Sequence, residues 1–220
     1  MKKLAALLAS AVVGVVATPC AASAATIIIT DVGVGNGNFG DVSVSGYGTP
    51  WATPILLTDS HGNSYFTYCA DLDHEIGVGG GQSLPYHEGI LTANGLGQPL
   101  TESVSNVIGQ IAGLGHLDYI HGDIDGQVAA QAAIWQLEYG GVTINPDLSH
   151  PQIAQDFNNF LNIQDNGRGW ADVLLSDRGT QNLVLGVPEP GTWAMMLVGF
   201  GALGGAMRAS RRKAGAAAAA

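Results

Sequence analysis

Two residues define the chemistry open to this chain. Cys69 sits in Tyr68-Cys69-Ala70-Asp71, and Gln131 follows 62 positions later in Ala129-Ala130-Gln131-Ala132-Ala133-Ile134-Trp135. The other cysteine, Cys20, lies in an N-terminal segment with the marks of a secretory leader. Lys2 and Lys3 precede an apolar run from Leu4 to Ala17, and Ala22-Ser23-Ala24 is a small-residue cleavage site. Ala17-Thr18-Pro19 before Cys20 is a poor lipoprotein acceptor, so this cysteine is expected to leave with residues 1–24. Cys69 is then alone in an oxidising compartment. A lone thiol has no intramolecular disulfide partner; it is free, joined to another molecule, or chemically consumed. A glutamine held against it offers the third outcome. The thiolate attacks the carboxamide, ammonia leaves, and an internal thioester remains.

The aromatic-Cys segment and the Gln-x-Ala-Ile-Trp-like segment together resemble the surface thioester domains of Gram-positive adhesins. That resemblance implies a Cys69–Gln131 cross-link able to capture an amine or hydroxyl on a partner. Ala130 stands where the motif has Thr, a modest departure because the reacting atoms belong to Cys69 and Gln131. The chemistry needs a deprotonated sulfur about 3–3.5 Å from the carboxamide carbon, and it needs water kept from the finished bond. Tyr68, Tyr86, Trp135 and Tyr139 are candidates to wall such a site. His74, the nearest histidine in sequence, is a candidate proton shuttle, with Asp71 and Glu138 weaker ones.

Other chemistries leave a fainter trace. A cysteine hydrolase or acyltransferase would use Cys69 as nucleophile and His74, His116 or His121 as base, but no local catalytic signature surrounds the cysteine. A passive matrix protein would use neither residue. Asp71-x-Asp73-x-Glu75 and Asp123-x-Asp125 hint at calcium, yet neither completes an EF-hand loop. The six histidines have no metal-ligand spacing, and Gly33–Gly37 lacks the lysine of a phosphate loop. No metal or cofactor is expected.

The elements that must position Cys69 and Gln131 follow from periodicity. Thr26–Thr30, Val42 with Val44, Ile55–Thr58 and Ser64–Leu72 predict strands. In the last of these, Tyr65, Thr67, Cys69 and Asp71 share one face, and Phe66, Tyr68, Ala70 and Leu72 share the other. Gly77–Gly81 reads as a loop. Helical spacing covers Leu100–Leu114 and Gln127–Tyr139; the second helix is entered at Asp123 or Asp125 and stopped by Gly140-Gly141. Gln131, Trp135 and Glu138 lie near one another on it, and Val128, Ala132 and Trp135 make an apolar stripe. Pro151–Leu161 predicts a third, weaker helix, and Gln181–Gly186 a closing strand. This order predicts the α+β class, a β-rich module with a helical insertion.

The C-terminal end carries a second signature. Pro188-Glu189-Pro190-Gly191 precedes an apolar run from Thr192 to Met207, and Arg208, Arg211, Arg212 and Lys213 follow. At about 1.5 Å per residue the apolar run reaches roughly 24 Å, slightly short of a ~30 Å hydrocarbon core. The basic cluster would stay cytoplasmic. Residues 188–213 resemble a PEP-CTERM sorting signal, which implies a transmembrane sorting helix and transient anchoring in the inner membrane. It also implies processing by an exosortase in a Gram-negative bacterium and release to the cell surface or extracellular matrix. The Ala-rich tail 214–220 carries no readable function.

Residues 25–187 suit one domain. They hold 17 acidic residues against Arg168 and Arg178, with no lysine at all. Such a surface repels phosphates, which excludes nucleic acid as a partner. It favours amine-bearing surfaces. A domain that carries an acyl electrophile also benefits from having no amines to intercept it.

Overall fold

The computed structural model describes residues 25–35, 40–145 and 150–186. The leader, the Pro188-Glu189-Pro190 motif, the expected transmembrane helix and the tail lie outside the described residues. Among the described residues, no helix is long and apolar enough to cross a membrane.

Six strands close into an antiparallel barrel in the order β1-β3-β4-β8-β7-β5. These are β1 (Thr26–Val34), β3 (Ile55–Asp59), β4 (Ser64–Cys69), β5 (Gly79–Ile90), β7 (Asp172–Ser176) and β8 (Leu183–Leu185). Closure gives every strand of the barrel a partner on both sides. β2 (Val42–Val44) pairs outside the barrel with β6 (Val142–Ile144). Three helices, α1 (Glu102–His121), α2 (Ile124–Glu138) and α3 (Ile153–Leu161), are inserted with β6 between β5 and β7. The molecule is therefore mixed strand and helix around a barrel, with the helical insertion that the element order predicts.

α2 is the element that matters most for the site. Asp123 caps it, accepting from Gly126 N at 3.1 Å, and Gly140 and Gly141 follow it with positive φ. Instead of a single apolar stripe, every residue from Gly126 to Trp135 is buried. α1 and α3 pack along it, the β2–β6 pair covers it further, and the barrel meets it where Gln131 reaches Cys69. Small side chains at Ala129, Ala130, Ala132 and Ala133 allow that close approach on all faces.

Several boundaries differ from the sequence reading; β1, expected to end at Thr30, runs on to Val34, and the closing strand is confined to Leu183–Leu185. The glycine stretch expected as a loop already contains the start of β5, whose residues are mostly half-exposed with only Tyr86 fully buried. α1 continues past Leu114 to His121 and ends on Gly122 at φ 74°. Its last turns carry exposed Leu117 and Ile120, so the apolar period fades while the hydrogen-bond ladder persists. β4 stops at Cys69 rather than Leu72.

Candidate functional site

Cys69 is the last residue of β4, paired to Leu183 of β8. On its other side β4 pairs with β3, but β3 begins at Ile55, opposite Thr67. The backbone of Cys69 has no strand partner there. The side chain of Gln131 takes that place. Cys69 N–H donates to Gln131 Oε1 at 2.8 Å, and Gln131 Nε2 donates to the Cys69 carbonyl at 2.9 Å. Both residues are buried, and the two bonds fix the carboxamide plane against the cysteine backbone.

The arrangement has a chemical direction. The carboxamide oxygen already receives an N–H where negative charge would develop if sulfur attacked the carbon. The amide nitrogen, which would leave, is on the opposite bond. The sulfur donates to Asp71 O at 3.3 Å and accepts from Asp71 N at 3.4 Å. A further donor was not foreseen: Gln181 Nε2 lies 2.8 Å from Sγ and 3.2 Å from Asp71 O. Burial pushes the Cys69 thiol up to about 12, partly offset by the Asp71 backbone and the Trp135 indole and reinforced by the charges of Glu138 and Asp71. The indole N–H lies near the sulfur without completing a hydrogen bond.

Cys69, Trp135 and Gln181 form part of the lining of a cleft of about 590 Å³, whose walls include Tyr47, Trp51 and His74. Cys69 is buried, yet it is among the residues that line this opening. His74 lines this cleft, but its ring Nδ1 is 2.8 Å from Asp71 Oδ2 and its side chain is 44% exposed. Its hydrogen bond goes to Asp71, not to Cys69 or Gln131. Asp71 is itself buried and accepts also from Asp73 N and Asn182 Nδ2.

Of the aromatic candidates, Trp135 alone lines the cleft. Tyr68 alternates to the opposite face of β4, with its hydroxyl against Gly115 of α1. Tyr86 instead supports the site from behind, donating to Gln181 O at 2.9 Å. The Tyr139 hydroxyl accepts from Leu72 N at 3.0 Å and Gly95 N at 2.9 Å, which holds the turn after Cys69. His116 stacks on Phe66 with ring centroids 4.4 Å apart, on the face of β4 away from the sulfur. His121 ends α1 and lines no part of the cleft. Glu138 is buried with neither carboxylate oxygen hydrogen-bonded, and burial, then the charge of Asp71, raises its pKa well above the ordinary value.

A barrel with a helical insertion, presenting one buried cysteine to one buried glutamine, is the class of domain these observations define. Residues 186–213 match the PEP-CTERM protein-sorting motif. No curated protein matches the chain. Among solved structures, the chain is similar to the N-terminal thioester domain of a surface protein from Clostridium perfringens. The identity is 13% and the TM-score 0.48, over 74% of this chain and 99% of that one. It is also similar to the N-terminal thioester domain of fibronectin-binding protein SfbI from Streptococcus pyogenes. There the identity is 12% and the TM-score 0.42, over 63% and 87% of the two chains. The pilus-presented adhesin Spy0125 (Cpa) is similar at 12% identity and TM-score 0.41, over 75% of this chain and 49% of that one.

Proposed function

We propose that this is an exported surface protein that joins itself to a partner through an internal Cys69–Gln131 thioester. The observation that carries the reading is the reciprocal pair of hydrogen bonds between the Gln131 carboxamide and the Cys69 backbone. Cys69 Sγ attacks the Gln131 side-chain carbon, the charge on oxygen is held by Cys69 N–H, and the nitrogen leaves as ammonia with the thiol proton. A partner amine or hydroxyl entering the cleft then attacks the same carbon. The C–S bond breaks, the partner is acylated by Gln131, and Cys69 regains its thiol. The event is single-use. His74 and Glu138 are the titratable groups at hand to relay protons.

A cysteine hydrolase would need a base on the sulfur, whereas the His74 ring bonds to Asp71, His116 packs on Phe66 across β4, and His121 lines no part of the cleft. The PEP-CTERM match supports export and sorting. We assign Pro188, Glu189 and Pro190 to recognition by an exosortase-type enzyme, with the following apolar segment as the transient inner-membrane anchor. Residues 25–187 form the extracellular domain.

Incubation with a biotinylated primary amine tests the reaction. The wild-type protein is expected to take up one label per chain, located at Gln131 by peptide mapping. Cys69→Ala and Gln131→Ala should each abolish it. Equal labelling of the Cys69→Ala protein, or a label elsewhere, would contradict the reading.

A further inference from the structure

Gln131 contacts the Cys69 backbone, whereas a second glutamine contacts the sulfur itself, and no step above uses it. Gln181 lies 112 positions from Cys69 in sequence, just before β8, and its Nε2 approaches Sγ to 2.8 Å. Its backbone is held on both sides. Tyr86, fully buried, donates to Gln181 O, and the next residue, Asn182, accepts from Ala70 N at 3.0 Å. The side chain also donates to Asp71 O, the carbonyl that receives the Cys69 thiol proton. The amide is thus fixed in two directions before any reaction occurs.

We infer that Gln181 is a catalytic hydrogen-bond donor to the Cys69 sulfur, stabilising the thiolate that departs when a partner nucleophile opens the Gln131 thioester. The inference rests on the thioester reading. A thiol or an acyl sulfur is a weak acceptor, while a thiolate is a full anion. A donor aimed at that atom gains most when charge arrives, so it lowers the barrier more than it stabilises the resting bond. In the opening step the incoming amine bonds to the Gln131 carbon, and the C–S electron pair passes to sulfur. The amine's surplus proton then neutralises the thiolate. Burial works against this step by disfavouring charge on Sγ. Gln181 supplies within the cleft part of what water would supply outside.

The test uses the full chain as wild type, Gln181→Met and Gln181→Glu, each first weighed for the missing ammonia. A wild type of full mass would overturn the thioester reading and this inference with it. With the bond present, release of the Cys69 thiol is followed after adding methylamine. Gln181→Met keeps the size and loses the donor, and it is expected to react about ten- to hundredfold more slowly. A folded Gln181→Met protein that never forms the bond would support the same role, since formation passes through the same thiolate. Gln181→Glu should be slower still at neutral pH, where it presents an anion to an anion. Its rate relative to wild type should recover as acid restores a proton to the carboxyl, read with hydroxylamine, which remains a free base at mildly acidic pH. Thioester-bearing variants that react at the wild-type rate would overturn the inference. Should Gln181→Met not fold, the Gln181→Glu series decides: a ratio to wild type that does not change with pH overturns it.

Discussion

Glu138 is buried one helical turn beyond Trp135, with both carboxylate oxygens unpaired. Its folded pKa is raised well above 4.5, first by desolvation and then by the charge of Asp71. Above pH 4.5 the unfolded chain releases this proton while the folded chain keeps it, so stability falls as pH rises from 4.5 toward the folded pKa. Glu138→Gln removes that term. Its melting temperature relative to wild type is expected to climb between about pH 4.5 and neutrality, and parallel melting curves for the two proteins would contradict the assignment. Cys69 and Gln131 were legible at this scale because each sits in a short motif with a chemical meaning. Gln181 was not, because nothing around it marks one glutamine among many, and the contact exists only once β8 has closed the barrel beside β4. Nearness in sequence placed His74 by the site, and it does line the cleft, but its ring contact to Asp71 appears only in the folded structure.

α2 can carry Gln131 to Cys69 only if α1 crosses it closely, and that crossing is built on Gly115. A Cβ there would meet the Tyr68 hydroxyl and come within 2.7 Å of Ala130 Cβ. Gly115→Ala is expected to destabilise the fold by about 1–3 kcal/mol, the usual cost of overpacking. It should also slow thioester formation, since Ala130 adjoins Gln131. Denaturant unfolding and bond content measure the two effects, and unchanged stability would show that the helices can part at no cost. Elements with a clean period were readable: β1, β3 and β4 start where apolar spacing predicts them, though β1 runs on to Val34 and β4 stops at Cys69, and α2 has its predicted Asp123 cap. β5 was not, since four glycines and Pro85 erase strand propensity, and pairing on both sides with β1 and β7 supplies the order instead. β6 and β7 are mostly apolar but, at three and five residues, too short to establish an alternation. The end of α1 was lost because its last turns expose Leu117 and Ile120 and present no apolar stripe to the core, while Gly115 is a packing requirement inside the helix.

Across the whole molecule, a closed barrel holds Cys69 on a rigid strand end, and the inserted helices bring Gln131 to it from the opposite side. The net charge of −10 and the absence of lysine between the leader and the sorting segment fit a surface that attracts amines but offers none of its own. Fold class and insertion were visible in the order of the elements. Closure of the barrel was not, because it depends on β5 meeting both β1 and β7. The same carboxamide contact that positions Gln131 for attack also satisfies the backbone of Cys69 where β3 falls short, a reactive role and a passive one in the same pair of bonds. Intact mass, read together with thiol titration of the mature protein, separates the two most directly. A mass lower than the sequence by one ammonia, with no titratable thiol until a nucleophile is added, is the expected result. Full mass with a freely titrating Cys69 and an unmodified Gln131 would contradict it.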